Sequence, residues 1–105
     1  MVDFQSRVDL LISRIVEIAH PLRIVMFGSA ARKDSGPDSD VDLLVIMPEG
    51  TQRRSTAQKL YKEISGIGLP FDVLIATPSD ILKHKDNIGL IYRSALREGK
   101  EVYAA

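Results

Sequence analysis

The sequence contains no cysteine, which excludes disulfide bonds and thiolate metal sites. It has no excess of either charge, since 14 basic residues balance 14 acidic ones. A general nucleic-acid binder usually carries a basic excess that neutralises phosphates, so the composition argues against that function. No apolar run reaches the roughly 20 residues that span a bilayer, and the N-terminus lacks the layout of a signal peptide. A cytoplasmic protein without a membrane segment is therefore expected.

What the sequence does have is an ordinary globular composition, with 45% hydrophobic and 27% charged residues. Its 105 residues suit one compact domain with a real core. We therefore predict a single domain over residues 1–105. Since this length leaves no room for a second catalytic domain, any large substrate should lie across the surface or come from a partner.

The spacing of apolar residues predicts two main helices, over residues 4–19 and 51–64. In the second of these, Ala57, Leu60, Tyr61 and Ile64 fall at helical spacing, and Tyr61 is expected in the core or at an interface. A further helix is expected to open near Pro78, with Ser79 or Asp80 as its cap. Helical spacing over residues 87–97 predicts that the chain is helical there as well.

Short apolar runs rich in β-branched residues predict strands over residues 22–27, 41–47 and 71–76, with a short edge strand at 101–103. Helices and strands alternate along the chain. This order predicts an α/β or α+β fold, in which helices flank a small mixed sheet of three to four strands.

Gly28 and Ser29 lie where the first predicted strand ends. A strand that ends in Gly-Ser and runs into a helix presents backbone N–H groups at a positive helix end, where phosphate binds well. The glycine would let a phosphate approach the backbone, and the serine hydroxyl would add a donor. The same pair also forms purely structural turns, so this signal is weak by itself.

Asp40 and Asp42 stand at the start of the second predicted strand. Residues two apart in a strand point to the same face, so both carboxylates converge. Two like charges this close repel each other unless a cation sits between them. Mg²⁺ prefers carboxylate oxygens and often completes its shell with substrate phosphates. The alternative is an exposed strand end in which Asp40 is only a turn residue.

Asp72 opens the third predicted strand, where it could also be no more than a solvated strand end. The ten residues between Ser29 and Asp40 can join the first two strands if these are antiparallel. The helix over residues 51–64 makes a crossover that suits parallel pairing of the second and third strands. This topology brings Asp72 to the same end of the sheet as Asp40 and Asp42.

Residues 28–32, Gly-Ser-Ala-Ala-Arg, followed by residues 39–45, Ser-Asp-Val-Asp-Leu-Leu-Val, resemble the signature of the minimal nucleotidyltransferases. These belong to a superfamily similar to DNA polymerase beta and kanamycin nucleotidyltransferase. The signature is Gly-Ser, ten residues, Asp-x-Asp, and a third acid on a later strand, here within residues 71–74. The resemblance covers nearly the whole chain. It departs from the family at Lys33-Asp34, where many relatives carry a glycine.

The resemblance implies a transfer of a nucleoside monophosphate, in which ATP is the donor and two Mg²⁺ ions are held by Asp40, Asp42 and Asp72. It further implies that Asp72 helps to deprotonate the acceptor hydroxyl. Gly28 and Ser29 would hold the β- and γ-phosphates.

Arg32 has two interpretations under the same resemblance. It contacts phosphate, or it braces the acidic cluster from a neighbouring helix, and the second is favoured.

The minimal family is similar to the antitoxin halves of two-component modules whose partner is an all-helical HEPN ribonuclease toxin. The resemblance therefore implies transfer of AMP to a toxin tyrosine. One alternative is a small-molecule nucleotidyltransferase of the aminoglycoside type, for which this chain would have to form a homo-oligomer to enclose the acceptor. The other is a non-catalytic antitoxin or binding module, against which the intact acidic triad argues.

Overall fold

The computed structural model describes residues 4–28, 41–64, 66–83 and 99–105. Its elements in chain order are α1 (Phe4–Ala19), β1 (Arg23–Phe27), β2 (Val41–Ile46), α2 (Arg53–Glu63), β3 (Phe71–Ala76), α3 (Pro78–Lys83) and β4 (Lys100–Ala104). The main predicted helices and all four predicted strands are confirmed, with small displacements of their ends. The helix predicted over residues 87–97 lies outside the described residues. None of the helices in the described ranges is long and apolar enough to cross a membrane.

The four strands form one mixed sheet in the order β3-β2-β1-β4. β1 pairs antiparallel with β2 and with β4, and β2 pairs parallel with β3. The predicted α/β class and both predicted pairings of the first three strands are therefore confirmed. The crossover through α2 explains the parallel pair, because parallel neighbours need a long connection.

The two faces of the sheet bury separate apolar layers. One face packs against α1 and α2, and the buried residues of this layer are Val8, Leu11, Ile15, Ile24, Met26, Val41, Leu43, Val45, Met47, Leu60, Ile64, Leu69 and Ile75. The opposite face is smaller and packs against Ile81 of α3, and its buried residues are Val25, Leu44, Ile46 and Ala76. Because side chains alternate along a strand, the even-numbered residues of β2 and β3 belong to this smaller face.

The start of α3 shows a different cap from the one that its sequence predicted. The Thr77 N–H and hydroxyl donate to Asp80 Oδ2, each at 3.0 Å, and the Asp80 N–H donates to Thr77 Oγ1 at 3.2 Å. Thr77 is therefore the cap, and the prediction of Ser79 or Asp80 was wrong. Pro78 explains the shift, because proline suits the first position of a helix, where no N–H partner is needed.

Leu60 gives a test of the larger core. It has no exposed surface and is the only buried residue of α2. Leu60→Ala should lower the free energy of unfolding by about 2–5 kcal/mol, because it removes buried methyl groups and leaves a cavity. Urea denaturation measures the change. The matched control Leu10→Ala, on the half-exposed side chain of α1, should cost less than about 1 kcal/mol, and equal losses would contradict this packing.

Candidate active site

Three strand ends meet at one edge of the sheet. In the register of the antiparallel pair, Phe27 of β1 lies opposite Asp42 of β2. In the register of the parallel pair, Asp42 lies opposite Asp72 of β3. Gly28 follows directly after β1, so it adjoins Asp42 from the other side. The structure thus brings together the three predicted site residues that it describes.

Asp42 and Asp72 are direct neighbours on the smaller face of the sheet. Residues opposite each other on adjacent strands project to the same side. The next residues of that face, Leu44 and Leu74, are apolar, so the two carboxylates stand at the polar end of an apolar surface. Asp72 is exposed and Asp42 is partly buried. Asp72 is therefore the more accessible member of this pair.

Gly28 has a backbone conformation and surroundings that disfavour every other residue. Its φ is +76°, in the left-handed region that L side chains rarely adopt. A Cβ atom built at this position would lie 2.5 Å from Oδ2 and 3.4 Å from Cγ of Asp42. The Asp42 carboxylate therefore occupies the space that any other residue at position 28 would fill.

This contact adds a role for Gly28 that the sequence did not reveal. The sequence suggested that the glycine admits a phosphate, whereas the structure shows that it also admits a carboxylate of the protein itself. No local pattern could have shown this contact, because it joins residues 14 positions apart across two strands.

Ser29, Arg32 and Asp40 lie outside the described residues. Within the described ranges, no group of three His, Cys, Asp or Glu side chains could hold a metal ion. The described part of the site thus offers two neighbouring carboxylates, Asp42 and Asp72, as oxygen donors for a hard cation.

Tyr61 of α2, which the sequence predicted to lie in the core or at an interface, does not lie in the core. Its side chain is 45% exposed. Its hydroxyl oxygen accepts a hydrogen bond from the Val73 N–H at 2.8 Å, and its ring stacks on Phe71. Helical spacing placed Tyr61 on the correct face of α2, but this side chain reaches the border of the sheet rather than its centre.

A surface groove of about 670 Å³ runs beside β3 and the start of α2. It is lined by Thr51, Gln52, Arg53, Arg54, Ala57, Val73, Leu74 and Ile75. Neither carboxylate of the site lines this groove. The groove is therefore separate from the site formed by Asp42 and Asp72.

Residues 8–101 match the family described as "Nucleotidyltransferase domain". A relative from Methanocaldococcus jannaschii, named "Putative protein adenylyltransferase MJ0141", is 39% identical over 54 residues. That match covers 51% of this chain and 54% of the relative, so this chain spans about half of the relative's length.

Two solved structures share the fold. A "putative nucleotidyltransferase" from Sulfolobus solfataricus superposes with a TM-score of 0.54 and 19% identity, over 76% of this chain and 72% of that one. A mutant of the toxin–antitoxin pair MntA-HpeT superposes with a TM-score of 0.55 and 17% identity, over 90% of this chain and 70% of that one. That mutant replaces two aspartates, two positions apart, with glutamates.

The mixed sheet is thus the fold of known nucleotidyltransferases. Because the family match covers most of the sequence, this chain belongs to the nucleotidyltransferase domain family. The resemblance drawn from the Gly-Ser and Asp-x-Asp motifs is confirmed.

Proposed function

We propose that residues 1–105 act as one Mg²⁺-dependent nucleotidyltransferase domain, which transfers AMP from ATP to a hydroxyl group. The observation that carries this proposal is the neighbouring pair of Asp42 and Asp72, with Gly28 leaving room for the Asp42 carboxylate. In a nucleotidyltransferase, such a pair binds metal cations, and these cations neutralise the negative charge of the triphosphate.

Asp42 and Asp72, together with Asp40, would hold two Mg²⁺ ions. The donor set fits, because adjacent carboxylates supply the oxygen ligands that a hard cation prefers. The contact with Gly28 fits as well. Because Gly28 has no side chain, the Asp42 carboxylate occupies the space beside the end of β1. When bound, the metal would neutralise the triphosphate and polarise its α-phosphorus.

The residues of the chain would perform the remaining steps. Gly28 and Ser29 would bind the β- and γ-phosphates, and Arg32 would brace the acids or contact phosphate. The acceptor oxygen forms a bond to the α-phosphorus while the bond to pyrophosphate breaks, and the proton of the hydroxyl passes to the Asp72 carboxylate. The positioning of the two reactants would contribute much of the acceleration.

The acceptor that we propose is a tyrosine of a HEPN ribonuclease toxin, which the modification would silence. Two comparisons support a protein acceptor. One relative is named as a protein adenylyltransferase, and one protein of the same fold was solved as a toxin–antitoxin pair. The exposure of Asp72 supports it too, because a tyrosine on a second protein can reach an exposed carboxylate.

The test is a labelling reaction with the chain, Mg²⁺, ATP and the purified HEPN ribonuclease. ATP labelled in its α-phosphate should label the ribonuclease, whereas ATP labelled in its γ-phosphate should not. Replacing the modified tyrosine by phenylalanine should remove the label. EDTA should also remove it, and excess Mg²⁺ should restore it.

Other results would overturn parts of the proposal. Label transferred from the γ-phosphate would identify a kinase instead. Label that appears only on an added aminoglycoside would replace the protein acceptor by a small molecule. Inhibition of the ribonuclease without any label, and unchanged in Asp42→Ala and Asp72→Ala, would identify a binding antitoxin that performs no chemistry.

A further inference from the structure

We infer that Tyr61 is a positioning residue, which holds Asp72 beside Asp42. This inference rests on the proposed role of Asp72 in nucleotidyl transfer. It adds a residue of α2 that touches neither the nucleotide nor the metal in the proposed site.

β3 is an edge strand of the sheet in the described part of the chain, so it is hydrogen-bonded to a neighbouring strand, β2, on one side only. The carbonyl oxygens of Pro70 and Ala76 accept hydrogen bonds from the chain of β2 at Val41 and just after it at Met47. Since backbone groups alternate in direction along a strand, the Val73 N–H points away from β2. The Tyr61 hydroxyl oxygen accepts this outward N–H at 2.8 Å.

Tyr61 also holds the other neighbour of Asp72. Its ring stacks on Phe71 with the ring centroids 5.4 Å apart and the planes inclined by 21°. Phe71 and Val73 flank Asp72 in the chain, and their side chains leave the sheet on the opposite face from the carboxylate. One side chain therefore restrains the backbone on both sides of Asp72 without entering the site.

This restraint matters because Asp72 is the second residue of an edge strand. Strand ends that are hydrogen-bonded on one side open more easily than central strands. Tyr61 comes directly after Leu60, which is fully buried in the core. Tyr61 thus connects the beginning of β3 to a rigid part of the molecule, and it sets the position of Asp72 relative to Asp42.

The experiment compares three variants of the full chain. Tyr61→Phe removes the acceptor oxygen and keeps the ring, and Tyr61→Leu removes both contacts. The matched control is Tyr103→Phe, which makes the same chemical change on β4, the border strand at the opposite side of the sheet. The measurements are kcat and KM for ATP, the hydrogen exchange of the Val73 amide, and the Mn²⁺ concentration that broadens the amide signals of Asp42 and Asp72.

Tyr61→Phe should lower kcat about fivefold, the equivalent of one lost hydrogen bond, and should leave KM for ATP within about a factor of two. Tyr61→Leu should lower kcat by up to about a hundredfold, the effect of moving a reacting group by about 1 Å. In both variants the Val73 amide hydrogen should exchange faster, and a higher Mn²⁺ concentration should be needed to broaden the amide signal of Asp72. Tyr103→Phe should match the wild type in each measurement.

A merely structural role would change the thermal midpoint without changing kcat or the response of Asp72 to Mn²⁺, and that result would overturn the inference. Equal losses in Tyr61→Phe and Tyr103→Phe would overturn it as well. If Tyr61→Leu does not fold, Tyr61→Phe decides alone. A wild-type chain that neither transfers AMP nor responds to Mn²⁺ would contradict the proposed function itself. An active wild type with unaffected Tyr61 variants would contradict only the positioning role.

Discussion

Asp42→Asn should lower the rate of nucleotidyl transfer by at least about a thousandfold, the equivalent of several kcal/mol of lost charge stabilisation. Asparagine keeps the size and one oxygen of the side chain but removes the negative charge. Asp42 is the central member of the site, since it adjoins Phe27 on one side and Asp72 on the other. Initial rates with α-labelled ATP measure the effect.

The matched control for this change is Asp9→Asn on α1. Asp9 is exposed, and its carboxylate accepts a hydrogen bond from Gln5 at 2.9 Å. This variant makes the same chemical change away from the site, so it should retain the wild-type rate. An Asp42→Asn chain that is folded by circular dichroism and keeps more than about a tenth of the rate would exclude a central catalytic role.

Gly28→Ala should lower the rate of transfer by about a hundredfold, because its Cβ would displace a reacting group by an ångström or more. The new Cβ would fall 2.5 Å from Asp42 Oδ2. The end of a short side chain can rotate away at little cost, so the clash itself should disturb the carboxylate more than it disturbs the fold. The loss of rate should therefore exceed what the loss of stability explains.

Gly66→Ala and Gly50→Ala separate the clash from the backbone strain. Both glycines have a positive φ, of +74° and +88°, and a Cβ at either position would meet nothing within 4 Å. All three variants should lose about 1–2 kcal/mol of unfolding free energy from the left-handed backbone, as measured by urea denaturation. Only Gly28→Ala should lose most of its transfer rate, and similar rates in all three would show that Gly28 has no special relation to Asp42.

The pairing of the first three strands followed from the sequence because each step had a local physical cause. The helix between β2 and β3 is long enough for a parallel crossover, and the ten residues before Asp40 suit an antiparallel return. Short apolar runs placed the ends of the four strands, and helical spacing placed the ends of α1 and α2, within two residues of those observed. The prediction that Asp42 and Asp72 lie at one end of the sheet is confirmed by their register.

Other features depended on contacts between distant parts of the chain. The cap of α3 was predicted two or three residues too late, because Ser79 and Asp80 also have capping side chains and only the geometry selects Thr77. Tyr61 was predicted from its helical spacing to lie in the core or at an interface, and its side chain lies outside the core. Spacing shows which side of a helix faces the sheet, but it does not show how far the sheet extends beneath it.

The paired carboxylates show most clearly which features follow from the sequence and which follow from the tertiary structure. The sequence by itself determined that Gly28 ends one strand and that Asp42 and Asp72 begin two others, because strand ends follow from local composition and spacing. Only the tertiary structure decided that the Gly28 backbone lies against the Asp42 carboxylate and that Tyr61 holds the strand of Asp72. Those contacts depend on distances of a few ångströms between separate strands and helices, and these distances are set by the packing of the whole core.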